Sequence, residues 1–252
     1  MKNVFTARLA FCLILCFAGF AVLAQNAPEP IGAQFDKRYA AWLEWSAGQP
    51  ERALLTIGDE FRELVDLGPQ AAPYFAEKML TVASPREAVA MAEALARVTE
   101  KRFARALWPE GKYLDPAIRL ELYSRWWKEG RQQTSTDFDR LYARWKELKA
   151  KGDLVFQRDS YIITYDDEQK NIIQKRDQQR TELADVYDAI NDMGVDVLPL
   201  LVEKYVAKDY DMLPIFRELT HIVPRGRDVA ERVAYCVKWW DANRGEWLIP
   251  EN

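Results

Sequence analysis

The chain has 252 residues, with 35 Lys and Arg against 39 Asp and Glu, one His and three Cys, for a net charge of −4. That acidic balance excludes the basic stripe a nucleic-acid binder needs and gives no reason to expect attraction to an anionic membrane surface. His221 and Cys236, the one His and one Cys outside residues 1–24, are too few for a zinc site of the usual His or Cys kind without carboxylates, and neither a Gly-rich phosphate loop nor a Gly-x-Ser-x-Gly turn is present, so no cofactor is expected.

Residues 1–24 read as a secretory signal. Lys2 and Arg8 precede an apolar run from Leu9 to Leu23, and Val22 and Ala24 are the small residues before the exit. The run is short for a membrane span, which takes about 20 apolar residues. Cys16 follows Leu15, where lipid attachment needs a small residue. The expected product is exported, periplasmic or extracellular. Cleavage would take the basic count from 35 to 33 and the net charge from −4 to −6. It would leave Cys236 as the one thiol, so no internal disulfide is expected.

Residues 25–33 read as a polar, Pro-containing flexible leader. From Phe35 onward the pattern is helical. Phe35, Tyr39 and Trp42 recur at helical spacing, and Pro50 opens a helix with Leu54, Leu55, Phe61, Leu64 and Val65 on its apolar side, ending at Gly68. Pro73 opens the next. Ser84, Pro85 and Glu87 form a start signal for a helix to about Lys101. Asp115-Pro116 starts another that stops at Gly130, and Ser135 or Thr136 caps a long helix through Trp145 to Gly152. Residues 153–175 break the rhythm. Tyr161 to Tyr165 there could be a short strand or an extended loop. Helices then resume from Thr181 to Met193, Val197 to Lys208, Met212 to Ile222 and Arg227 to Asn243, with 245–252 as a tail.

Three blocks occur twice in the same order. Phe35, Asp36, Tyr39, Ala40 and Trp42 are repeated 103 residues later as Phe138, Asp139, Tyr142, Ala143 and Trp145. Gly68, Pro73 and Glu77-Lys78 are repeated 126 residues later as Gly194, Pro199 and Glu203-Lys204. Arg125-Trp126-Trp127 matches Lys238-Trp239-Trp240 at an offset of 113, with Arg119 matching Arg232 and Arg131 matching Arg244. The changing offset adds 23 residues (126 − 103) where the 153–175 segment lies and removes 13 (126 − 113) before the Trp pair. The pattern predicts a tandem duplication, with units 34–131 and 137–244. In each unit the Gly closes one helix and the Pro sits in the first turn of the next.

Leu67-Gly68-Pro69-Gln70-Ala71-Ala72-Pro73 and Met193-Gly194-Val195-Asp196-Val197-Leu198-Pro199, each leading into an apolar helix, resemble HEAT-like α-helical repeat proteins of the secreted bacterial type. The resemblance implies an all-α fold of helical hairpins, as a solenoid or as two packed lobes, acting as a non-catalytic scaffold that binds a protein or peptide. The units are near 100 residues and one carries an insert, which departs from a regular array.

Few residues suggest chemistry. His221 reads as a helix C-terminal residue, Cys236 as a buried apolar side chain, and Asp209 and Asp211 as caps of the helix from Met212. Trp127 and Trp240 fall on core faces, with Leu120 and Tyr123 and with Val233 and Cys236 respectively. Trp126 and Trp239 point about 100° away, where they cover the core edge or line a groove. An alternative reading is a carbohydrate site built from Trp126, Trp239, Arg119, Arg232, Tyr161, Tyr165 and the acids Asp166, Asp167 and Glu168.

Overall fold

The computed structural model describes residues 29–51, 53–151 and 182–250, and every regular element among them is helical. Residues 1–24, expected to be a signal, and the 153–175 segment, with Tyr161, Tyr165, Asp166 and Asp167, lie outside the described residues. No helix among those described is long and apolar enough to cross a membrane.

Helix α1 (Ile31–Ala47) buries Phe35, Tyr39 and Trp42 along one face. Helix α2 (Asp59–Val65) packs on it through Phe61 and Leu64. A 3-10 turn (Pro69–Ala71) leads into α3 (Ala72–Thr81), which pairs with α4 (Pro85–Thr99). Helix α5 (Pro116–Arg125) packs on α4. The chain then stays helical without a break, through a π turn (Trp126–Gly130) and a 3-10 turn (Arg131–Gln133), into α6 (Thr134–Ala150). Helix α7 (Glu182–Asn191) packs on α6, and a 3-10 turn (Gly194–Val197) leads into α8 (Leu198–Val206). Helix α9 (Leu213–Thr220) is short, and α10 (Val229–Trp247) lies against α8.

Elements at the repeated positions have matching geometry. Helices α1 and α6 are both 17 residues long and begin and end 103 residues apart. Phe138, Tyr142 and Trp145 are buried as Phe35, Tyr39 and Trp42 are. The Phe and Tyr rings stack at 5.5 Å in α1 and 5.4 Å in α6. Trp42 meets Phe61 at 6.4 Å, and Trp145 meets Tyr187, 126 residues after Phe61, at 5.9 Å. Lys78 Nζ sits 5.2 Å over the Tyr39 ring and Lys204 Nζ 5.1 Å over Tyr142. Ala71, Ala72, Phe75, Ala76 and Met79 are buried, and so are Val197, Leu198, Leu201, Val202 and Tyr205, each 126 positions on. Each large apolar side chain so buried contributes about 1.5–3 kcal/mol.

The punctuation follows its physical logic. Gly68 and Gly194 both hold φ 72°, a conformation that costs residues with a Cβ on the order of 1–3 kcal/mol. Pro73 and Pro199 are the second residues of α3 and α8, where a missing N–H breaks no intrahelical bond. Ser84 accepts from Glu87 N–H at 3.3 Å, and Asp115 accepts from Ala117 N–H at 3.0 Å and Ile118 N–H at 3.3 Å. Helices α4 and α9 end alike. Thr99 and Thr220 donate to the carbonyls four residues back, and Glu100 and His221 then turn left-handed at φ 51° and 56°.

The two halves meet through the 3-10 turns and helix ends. Arg102 N–H donates to Asp192 O at 2.9 Å, and a Cβ on Gly194 would fall 2.1 Å from Thr99 O. Arg131 bridges to Asp196 at 3.3 Å and to Ile249 O at 3.0 Å. On the other side Gln70, the counterpart of Asp196, donates to Gly245 O, beside the counterpart of Arg131. Glu100 and His221, 121 residues apart and equivalent as helix caps, face each other at 3.9 Å.

Several expectations are corrected. Helix α1 starts at Ile31, inside the expected leader. Pro30 (φ −55°, ψ 141°) sits at its cap, and Gly32 leaves room for the Tyr74 ring. Residues 53–57 are not helical: Trp42 Nε1 donates to Leu55 O at 3.1 Å and Arg86 to Ala53 O at 2.7 Å, so those carbonyls go to side chains rather than to a helix, while Pro50 O accepts from both Arg86 at 2.8 Å and the Ala53 N–H of a single turn at 2.9 Å. Gly130 does not stop its helix, because φ −77° and ψ −30° keep it right-handed, and neither Ser135 nor Thr136 caps α6. Asp209 and Asp211 do not cap α9. They bind Lys146 at 3.0 Å each, tying the α8–α9 turn to α6. Helix α10 continues to Trp247, whose ring meets Trp239 at 5.6 Å, and Ile249 beyond it is buried.

Candidate functional site

The first half carries an open trough. It forms where the 50–57 loop, α4 and the long connection between Glu100 and Asp115 leave space between them. One end is a cleft of about 550 Å³ with a mainly apolar lining that includes Leu54, Leu55, Pro85, Val89, Leu114 and Pro116. The other is a cleft of about 280 Å³ edged by Arg97, Lys101, Arg102 and Arg119, with Phe103, Trp108, Tyr113 and Tyr123. Glu93, Leu114 and Arg119 line both, so the two clefts adjoin.

The wall of the smaller cleft is held in place by its own contacts. Phe103 and Tyr123 pack edge to face at 4.9 Å, and Tyr123 donates to Lys101 O. Trp108 Nε1 donates to Phe103 O at 3.3 Å and packs on Tyr113 at 5.6 Å. The Arg105 guanidinium lies 4.1 Å over the Tyr113 ring. Leu54 and Leu114 are 66% and 51% exposed, a large apolar presentation for side chains that nothing covers. Leu114 also sits at φ 62°. A leucine there stores about 1–2 kcal/mol of strain, and strain of this kind concentrates where a site holds its shape.

Charge in the cleft is mixed and tightly paired. The Glu93 carboxylate is shared by Arg97 at 2.9 Å and by Arg119, and Glu100 takes Arg102 at 3.3 Å. Lys101 lies over the Phe103 ring at 5.2 Å and the Trp126 ring at 6.0 Å. Burial holds its pKa below the ordinary lysine value, opposed by Asp192, Asp196 and Asp137. Burial pushes Asp196 upward, and Arg131 and Lys101 oppose that rise.

Of the residues expected to form a site, Trp126, Trp239, Arg119 and Arg232 are among the described residues, and their surroundings differ. Trp126 is buried, as the core-edge reading has it rather than the groove reading, with only an edge at a cleft of about 330 Å³ beside Arg125 and Glu129. Trp127, expected in the core, is half-buried under the Arg131 guanidinium at 5.0 Å. The stripe Leu122, Tyr123, Trp126 satisfies helical spacing as well as Leu120, Tyr123, Trp127 does, and packing on α4 selects the first. In the second half Val233, Cys236 and Trp240 are buried as expected. Trp239 is half-buried between Phe216 at 5.9 Å and Trp247. Arg119 lines the trough, whereas Arg232 is exposed and donates to Gly226 O at 3.3 Å. His221 is an exposed helix cap, and Cys236 is a buried thiol raised to about 11 by burial.

Sequence reasoning missed Leu54, Leu114, Phe103, Tyr113 and Arg102, because loop residues carry no periodicity. The one available signal was the length difference ahead of the Trp pair, which marks the connection that builds the trough. Among the described residues, no group of three His, Cys, Asp or Glu side chains converges as metal ligands would. No family model matches the chain, and no curated protein or solved structure matches it either.

Proposed function

We propose that the chain is an exported, non-catalytic HEAT-like protein made by tandem duplication, and that its first unit binds an extended segment of a partner protein in the trough. The duplication reading is supported by the matched helices α1 and α6, by the paired aromatic contacts and by the two glycines at φ 72°. The arrangement is two lobes about an approximate twofold axis rather than a superhelix. Equivalent residues facing each other at Glu100 and His221, with reciprocal contacts at Asp196 and Gln70, favour it. The observation that carries the binding role is a preformed, open, apolar trough ending in arginines, built from loops rather than from the shared core.

Site-specific photo-crosslinking in the producing cell tests this reading. With a benzophenone side chain at Leu54 or Leu114, we expect a discrete protein adduct in the exported fraction. The same group at Val206, an exposed residue of the second unit, is the control. Equal labelling at all three positions, or none at the trough, would overturn the reading.

A further inference from the structure

We infer, resting on the protein-binding role just proposed, that the bound segment is acidic: an extended stretch with Asp or Glu side chains beside an apolar residue. At the smaller cleft Arg97, Lys101, Arg102 and Arg119 stand against Glu93 and Glu100, so four cations share two carboxylates. This local surplus sits on a chain whose net charge is −4. The apolar end adds Arg86 against Glu51 and Asp115, so the surplus positive charge lies at the smaller cleft, where it steers carboxylates on a chain of otherwise negative sign. Guanidinium groups match carboxylates with paired hydrogen bonds, and Arg102 is held by a single 3.3 Å contact with its side chain 62% exposed. Leu114 belongs to both clefts, so the acidic and apolar side chains of the ligand lie within one or two residues of each other. The donors are side-chain guanidinia rather than a nest of backbone N–H groups, which favours internal acidic side chains over a terminal carboxylate. Because the aromatic wall is already packed, binding has little left to order.

The test is selection from a phage-displayed random peptide library on the full chain. A C-terminally amidated peptide of the enriched sequence is then measured by fluorescence anisotropy. The expected consensus places Asp or Glu within two residues of Leu, Ile, Met or Phe. Binding should weaken at least about tenfold in Arg102→Glu and should fall as salt is raised to roughly 0.5 M. Circular dichroism checks that this variant is folded. An enriched consensus without acids, or binding that requires a free C-terminal carboxylate, overturns the acidic inference and leaves peptide binding standing. Enrichment no better than on an unrelated protein overturns both, and so does a selected peptide that still binds Leu54→Asp at full strength.

Discussion

The two halves of the molecule differ most between their last two helices. The first half takes the 14 residues 101–114 to pass from Glu100 to Asp115, and the second takes the six residues 222–227 to pass from His221 to Asp228. The long passage carries Phe103, Trp108, Tyr113 and Leu114 and walls the trough. In the second half the equivalent cap, His221, is followed by Val223 at 75% exposure. What the halves share is interior: stacked Phe–Tyr pairs, a Trp of the same helix against a ring on the next helix, and a Lys over the Tyr ring. What they do not share is surface. Packing constraints hold the core alike in both, and the unshared connection is where a binding site can arise.

The glycines probe that asymmetry most strongly. Both hold φ 72°, but a Cβ on Gly194 meets Thr99 O at 2.1 Å, whereas one on Gly68 meets nothing within 4 Å. Gly68→Ala should cost about 1–3 kcal/mol in urea unfolding, from backbone strain alone. Gly194→Ala should cost about 4 kcal/mol or more, because backbone must move where the halves dock. Similar costs would mean that the halves do not meet there. Next in size is the Trp pair. Trp126→Ala should lose about 3–5 kcal/mol and Trp127→Ala about half of that. In the second half the order reverses, with Trp240→Ala costing more than Trp239→Ala.

That reversal also marks the limit of what could be read from sequence. Phe35, Tyr39 and Trp42 were legible as a buried face because a single helical stripe holds every large apolar residue there. The Gly and Pro punctuation was legible because φ above zero and a missing N–H leave few alternatives. At Trp126-Trp127 two stripes fit equally, and only the neighbouring helix decides. The 50–57 loop was illegible because its carbonyls are taken by Trp42 and Arg86, partners that local pattern cannot reveal. The trough was illegible for the same reason, since its walls come from segments that only the fold brings together.

A smaller effect separates the halves by pH. Burial raises the Cys236 thiol from 9.0 to about 11, and the first half has Tyr123 at the corresponding position. The unfolded chain loses this proton first as pH rises. Stability should therefore be unaffected by this group below pH 9.0 and should fall between 9.0 and about 11. Urea midpoints across that window should show a shallower decline for Cys236→Ala than for the parent, and parallel curves would contradict the assignment. Smallest are the lysines over the Tyr rings. Lys78→Met should cost about 0.5–1 kcal/mol. Lys204→Met should cost slightly more, because Lys204 also bonds Asp139 at 3.3 Å. A larger loss at Lys78 would break the parallel between the two helices.

The difference between the halves is tested most directly by hydrogen exchange, followed by mass spectrometry, on the full chain with and without a selected peptide. The account predicts that exchange slows over residues 53–57 and 93–119, which frame the trough, and is unchanged over the second-half counterpart at 213–232. Slowing centred on the second half, or no slowing at the trough in the presence of a peptide that binds, would contradict it.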